Sequence, residues 1–180
     1  LRDPNNLDVD LEIIAARCYA SVGTYPEAAR ICQNLVGYDP GESIFNEKAP
    51  GQKSAAAYSI LAELIRDQEQ GTPAQADLVI EKMIELNDSS SEAHLAAHDY
   101  WKRTGKEDRA KQALERAYEL DPEAPQVVLL KTAQAIDEQR LDDANSLVRA
   151  ALEKHPDEAA LYRAAYTVPA GKAHWGVVLR

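Results

Sequence analysis

The sequence predicts an all-α solenoid of stacked antiparallel helix hairpins. Three observations carry that expectation: a repeat period, apolar residues at helical spacing within each period, and helix start and stop signals between them. "ALERAYELDP" (113–122) returns as "LVRAALEKHP" (147–156), each closing on a proline, and Pro122 and Pro156 stand 34 residues apart. Sliding by that period aligns Ala110 with Ala144, Leu114 with Val148 and Ala117 with Ala151. These positions fall on one helical face. Upstream copies place Ala76, Ile80 and Met83, and then Ala28, Cys32 and Leu35, in the same columns.

The first unit spans 9–42. Its first helix carries Ala15, Ala16 and Tyr19, and Gly23 closes it with a left-handed turn. "TYPE" (24–27) reads as a capping box for the second helix, and Asp39-Pro40 stops that helix because proline disfavours helical geometry in the residue before it. An insertion over 43–54 follows. The stretch "GESIFNEKAPGQK" (41–53) carries turn formers together with Ile44 and Phe45, so it either hides Phe45 in a local cluster or presents it to a partner.

The second unit, 55–90, has Tyr58, Leu61, Ala62 and Ile65 on its first helix, and "TPAQ" (72–75) opens its second helix with Thr72 as cap and Pro73 at the first helical position. The third, 91–124, begins after "SSSE" (89–92), carries His94, Ala97, His98 and Trp101, turns at Gly105 and ends at Asp121-Pro122. In the fourth, 125–158, Val128, Thr132 and Ala135 hold a looser stripe beside Lys131, and His155-Pro156 ends it. A partial or divergent unit or C-terminal cap occupies 159–180, where Pro169 breaks the expected helix and Trp175 is expected to be partly buried.

Bulk properties narrow the function. The net charge of −10 opposes the phosphate backbone that supplies most nucleic-acid affinity, so nucleic acid is not an expected partner. No run approaches the ~18 apolar residues of a membrane span, which predicts a soluble chain without membrane insertion. Beginning at Leu1, the sequence reads as a fragment of a longer polypeptide. Cys18 and Cys32 form no CxxC and no metal spacing, and both are expected to be small buried hydrophobes.

Chemistry is not signalled either. His94 and His98 stand four apart, as two imidazoles on one metal would, but they occupy columns that the other units fill with packing residues. They read as structural. The sequence holds no HExxH, GxSxG, GxxxxGK[ST] or GxGxxG, so no catalytic residue, metal or cofactor is expected and the chain is not read as an enzyme.

The 34-residue unit, quoted best from "SEAHLAAHDYWKRTGKEDRAKQALERAYELDP" (91–122), resembles the tetratricopeptide repeat, over roughly 7–168. That resemblance implies a right-handed superhelix whose concave groove holds a peptide or helix of a partner protein. The groove residues it implies are Ile13, Arg17, Ser59, Glu63, Arg66, Leu95, Asp99, Lys102, Arg103, Leu129 and Ile136, with Leu95, Leu129 and Ile136 forming an apolar streak. Chaperone-binding members capture a C-terminal carboxylate with a clamp of Lys, Asn and Arg. Here the matching places hold Ile13, Arg17, Glu63, Glu92 and Ala96, so the chain does not resemble a carboxylate-clamp adaptor. The expectation is therefore a non-catalytic scaffold for a protein or peptide partner. A second is a regulatory or structural module of a longer enzyme or secretion-linked assembly, contacting its own neighbouring domains. A third, the 35-residue RNA-binding helical repeat, requires a basic face and a 35-residue spacing that this sequence lacks.

Overall fold

A computed structural model describes residues 4–168, with side chains from Val9 onward. Among them are nine α-helices and one short β-ribbon: α1 (Pro4–Ser21), α2 (Tyr25–Val36), β1 (Tyr38–Asp39), β2 (Ile44–Phe45), α3 (Ala55–Asp67), α4 (Pro73–Leu86), α5 (Ser91–Arg103), α6 (Glu107–Leu120), α7 (Pro125–Asp137), α8 (Leu141–Lys154) and α9 (Ala159–Thr167). The chain divides into two compact units, Leu1–Ala110 and Lys111–Arg180.

In the first unit α1 packs on α2 and α3 on α4, and each later first helix also meets the hairpin before it: α3 lies against α2 and α1, and α5 against α4 and α3. The columns read from the sequence become the core. Ala28, Cys32 and Leu35 of α2 and Ala76, Ile80 and Met83 of α4 are buried, facing Ala16, Tyr58, Leu61, Ala62 and Ile65. Small residues in these columns let helix axes approach closely, and the large ones fill the space between turns.

In the second unit α7 packs on α8, and α9 covers both. Val128, Val148, Ala151, Leu152, Leu161 and Ala165 form its main cluster. Lys131, the residue that loosened the stripe, keeps its stem half-buried while its ammonium donates to Glu115 at 2.5 Å and lies 5.5 Å from the centre of the Tyr118 ring.

The helix ends depart from the sequence reading in three places. Thr72 and Gln75 do form a reciprocal capping box, but Thr24 caps nothing with its side chain; its hydroxyl turns back to donate to the Tyr19 carbonyl at 3.0 Å. Ser90, not Ser89, caps α5, accepting from the Ala93 amide at 3.3 Å, because a turn over 87–90 delays the helix by one residue. And α2 ends at Val36, ahead of Asp39-Pro40, because Gly37 takes the left-handed conformation at φ +71° and its amide closes on Gln33. Pro169 and Trp175 lie outside the described residues.

That early stop launches the ribbon. β1 and β2 pair antiparallel, Tyr38 opposite Phe45 and Asp39 opposite Ile44, and Asp39 accepts from the Gly41 amide at 2.8 Å inside the turn. The Phe45 ring lies 4.9 Å from that of Tyr38 and 6.2 Å from that of Tyr58, so the insertion folds back and half-buries its aromatic residue in a local cluster. Its neighbour Ile44 stays exposed. Gln75, having completed its cap, also donates to the Pro40 carbonyl at 2.8 Å and ties the ribbon to α4.

A side chain at Gly37 would place its Cβ 2.6 Å from the Asn46 carbonyl oxygen, on a backbone that disfavours any Cβ. Gly37→Ala is expected to cost at least about 2 kcal/mol, measured by urea unfolding, since strain and a backbone collision add.

Candidate functional site

First helices of the first unit turn one face away from their own second helices, and there an open trough runs over α1, α3 and α5. One part, of about 420 Å³, is lined by Arg17 and Ala20 of α1, Ala55, Ala56, Ser59, Ile60 and Glu63 of α3, and Glu92 and Ala96 of α5. A second part, of about 280 Å³, shares Ser59, Glu63 and Ala96 and adds Ile80, Asp99, Tyr100 and Arg103. Its floor is mostly Ala and Ser, which leaves room for another backbone to come close. The rim is charged.

Those charges divide into spent and free. Arg103 bonds Asp67 and lies 3.6 Å from Glu63, pinning α5 to α3. Among the described residues, Arg17, Glu92 and Asp99 have no ion pair or hydrogen bond to their side chains. They are the charges left for something else.

Beside the trough lies a polar hub. Asp77 of α4 accepts from the Tyr100 hydroxyl at 2.7 Å and from Lys106, and stands 3.7 Å from Arg66. Burial works against the charged carboxylate, but the bonds from Lys106 and Tyr100 and the charges of Lys106 and Arg66 outweigh it, and Asp77 titrates below its ordinary range. The same arrangement, with burial first, drives the Tyr100 hydroxyl far above its ordinary pKa, so it remains a donor.

Comparison with known proteins begins with two blanks: no family profile matches the chain, and no curated protein matches it in sequence. Solved structures do match. A thermophilic TPR protein of Thermus thermophilus, TTC0263, superposes with a TM-score of 0.60 at 21% identity, over 88% of this chain and 80% of that one. The chain has the tetratricopeptide-repeat fold. MamA agrees, with a TM-score of 0.55 at 22% identity over 87% of this chain and 82% of that one. At such identity the likeness carries architecture only.

On this tetratricopeptide-repeat fold the residues marked by the sequence do not all share one place. Arg17, Ser59, Glu63, Asp99 and Arg103 line the trough, and Ile13 is half-buried on the same helix as Arg17. Arg66 is drawn aside to Asp77, its guanidinium 6.0 Å from the Tyr100 ring centre. Lys102 is exposed but lines neither part of the trough.

Leu95 is a correction. It is 7% exposed, because α5 packs against both α3 and α4 and its buried arc is wide enough to include it. Leu129 and Ile136 belong to the second unit, where each packs partly against a core cluster, Leu129 beside Val128 and Ile136 beside Ala135. The expected apolar streak is therefore largely covered.

Sequence reasoning placed Glu92 and Ala96 at the positions of the clamp but missed Ala55 and Ala56 of the floor and the Asp77 hub. Small residues recurring one turn from Ser59 could have marked the floor. The hub joins α4, α5 and the residue before α6, and nothing in the spacing of Asp77, Tyr100 and Lys106 announces it. Also unforeseen is an open cavity of about 430 Å³ in the second unit, between Tyr118, Val128 and Leu147. Its cations are already neutralised: Lys131 by Glu115, Arg140 by Glu138 and Asp143, and Lys154 by Glu123.

His94 and His98 are both buried on α5 and each bonds a backbone carbonyl. His94 Nε2 donates to the Asp88 carbonyl at 2.9 Å, tying α5 to the turn before it, and His98 Nδ1 donates to the Ala110 carbonyl of α6 at 3.0 Å. Among the described residues no group of three or more His, Cys, Asp or Glu could hold a metal ion.

The cysteines differ, and Cys18 is a second correction. Cys32 is buried, and burial with the charge of Glu12 pushes its thiol up to about 12. Cys18 is exposed, because it faces away from the arc of Val9, Ala16 and Ala20 that α1 turns toward the core. A thiol reagent at neutral pH is expected to label Cys18 alone in the folded protein and both after denaturation, read by mass spectrometry. Two fast native thiols would contradict this geometry.

Proposed function

We propose that the trough over α1, α3 and α5 binds an extended segment of a partner protein, and that the domain does no chemistry of its own. The observation that carries this reading is the convergence of three first helices on one open channel with an Ala/Ser floor and uncompensated charge on its rim. An extended chain can lie on such a floor with its backbone close, while Arg17 on one side and Glu92 and Asp99 on the other select side chains of opposite sign. The overall charge of −10 supports a protein partner over a polyanion. No helix of the described residues is long and apolar enough to cross a membrane.

A random peptide library displayed on phage and panned on the 180-residue chain tests it. Peptides recovered on the wild type are expected to lose at least about 30-fold in affinity for Ser59→Arg with Ala96→Arg, two changes that fill the floor at partly exposed positions, with unfolding unchanged. Retained affinity in the filled variant removes the trough from the function. A second reading is that the trough engages a neighbouring domain of a longer polypeptide, for which the unpaired Arg17, Glu92 and Asp99 on its rim would serve equally. It predicts that panning recovers nothing and that the flanking domain, added in trans, competes for the trough.

A further inference from the structure

The first helix is apolar on two sides. Val9, Ala16 and Ala20, with Ile13, face α2 and α3, whereas Leu11, Ile14, Ala15, Cys18, Tyr19 and Val22 form a second arc, about 140° wide at ~100° per residue. That arc is exposed: Leu11 at 55%, Ile14 at 57%, Tyr19 at 43% and Val22, just past the helix end, at 75%. A helix with solvent on one side needs only one apolar face. The second is unexplained by anything packed against it among the described residues.

The repeat shows what such an arc is for. Leu11, Ala15, Cys18 and Tyr19 correspond, 46 positions on, to Ala57, Leu61, Leu64 and Ile65 of α3, and a further 36 on to Ala93, Ala97, Tyr100 and Trp101 of α5. All eight counterparts are buried. They are buried because the preceding hairpin lies there, α2 and α1 against α3, α4 and α3 against α5. The exposed arc of α1 thus holds the positions with which α3 and α5 meet the hairpin before them.

We propose that a further helix hairpin of the same type, carried on the same polypeptide ahead of Leu1, stacks on this arc, its second helix lying against α1 as α2 lies against α3. Area decides between that occupant and a second copy of the chain. Only four large apolar side chains are exposed on and just past this helix among the described residues, Leu11, Ile14, Tyr19 and Val22, whereas a free-standing pair needs about 800 Å² from each partner. A tethered hairpin meets the face at high effective concentration and loses little freedom in docking, so a small interface suffices.

Reading the coding sequence upstream of Leu1 is the first test. It is expected to show two amphipathic helices, the second with an apolar stripe like that of Ile31 and Leu35, ending within about six residues of α1. Their absence overturns the proposal. The second test is Cys18 alkylation by iodoacetamide. The rate in the 180-residue chain is expected to be that of a free thiol, and in the extended polypeptide at least ~100-fold slower, with Leu11→Lys and Ile14→Lys together restoring it. Equal rates in both chains overturn it. So does sedimentation of the 180-residue chain as a dimer that shields Cys18, which would make a second copy the occupant.

Discussion

Tyr58→Ala is expected to lower the stability of the first unit by about 3–5 kcal/mol, the range for truncating a fully buried aromatic ring. Tyr58 is fully buried on α3, and its ring packs with that of Phe45, which in turn packs with Tyr38. Truncation therefore opens a cavity and also removes the floor on which the ribbon rests. Urea unfolding followed by far-ultraviolet circular dichroism reads the loss, and Tyr58→Phe separates ring from hydroxyl. The hydroxyl is buried without a hydrogen-bond partner among the described residues, so its removal is expected to cost less than about 1 kcal/mol. A large loss in the phenylalanine variant would contradict the packing account.

Asp77→Ala is expected to cost about 1–2 kcal/mol, between the small value of an exposed ion pair and the large one of a buried pair broken on one side. The side chain is 21% exposed, and removing it strands the Tyr100 hydroxyl, Lys106 and Arg66 together. The hub adds a pH signature. A carboxyl held below its unfolded value contributes stability that is fully present above about pH 4 and is lost as pH falls through the folded-state value. The gap in urea midpoint between wild type and Asp77→Asn should therefore be open at neutral pH and narrow on acidification to about pH 3. A gap that widens on acidification would reverse the assigned shift.

The repeat itself was legible because packing enforces it. A column such as Ala28, Ala76, Ala110 and Ala144 must be small wherever two helices cross, so its period survives in the chain as written. Helix ends were legible where one residue does the work, as at Gly23 and Gly105 with their positive φ, and less so where neighbours compete. Ser89 and Ser90 are equivalent as letters, and only the turn before them chooses.

The trough was half legible. Positions on a first helix that point away from its partner follow from periodicity, which found Arg17, Ser59 and Glu63. Whether a residue there is free depends on its neighbours in space: α5, flanked by two helices, buries Leu95, and Asp77 captures Arg66. The same rule fails at α1 for the opposite reason. Cys18 and Tyr19 occupy columns that are core in later units but are exposed on α1, where none of the described residues packs over them.

The measurement that bears most directly on the trough as a binding site is amide chemical-shift mapping of the 180-residue chain titrated with a peptide recovered by panning. The largest changes are expected at Ser59, Glu63, Ala96 and Asp99 of α3 and α5, with Arg17 following on α1. Changes confined to the outer faces of the second helices, at Arg30 of α2 and Glu81 of α4, with the trough amides unmoved, would contradict it.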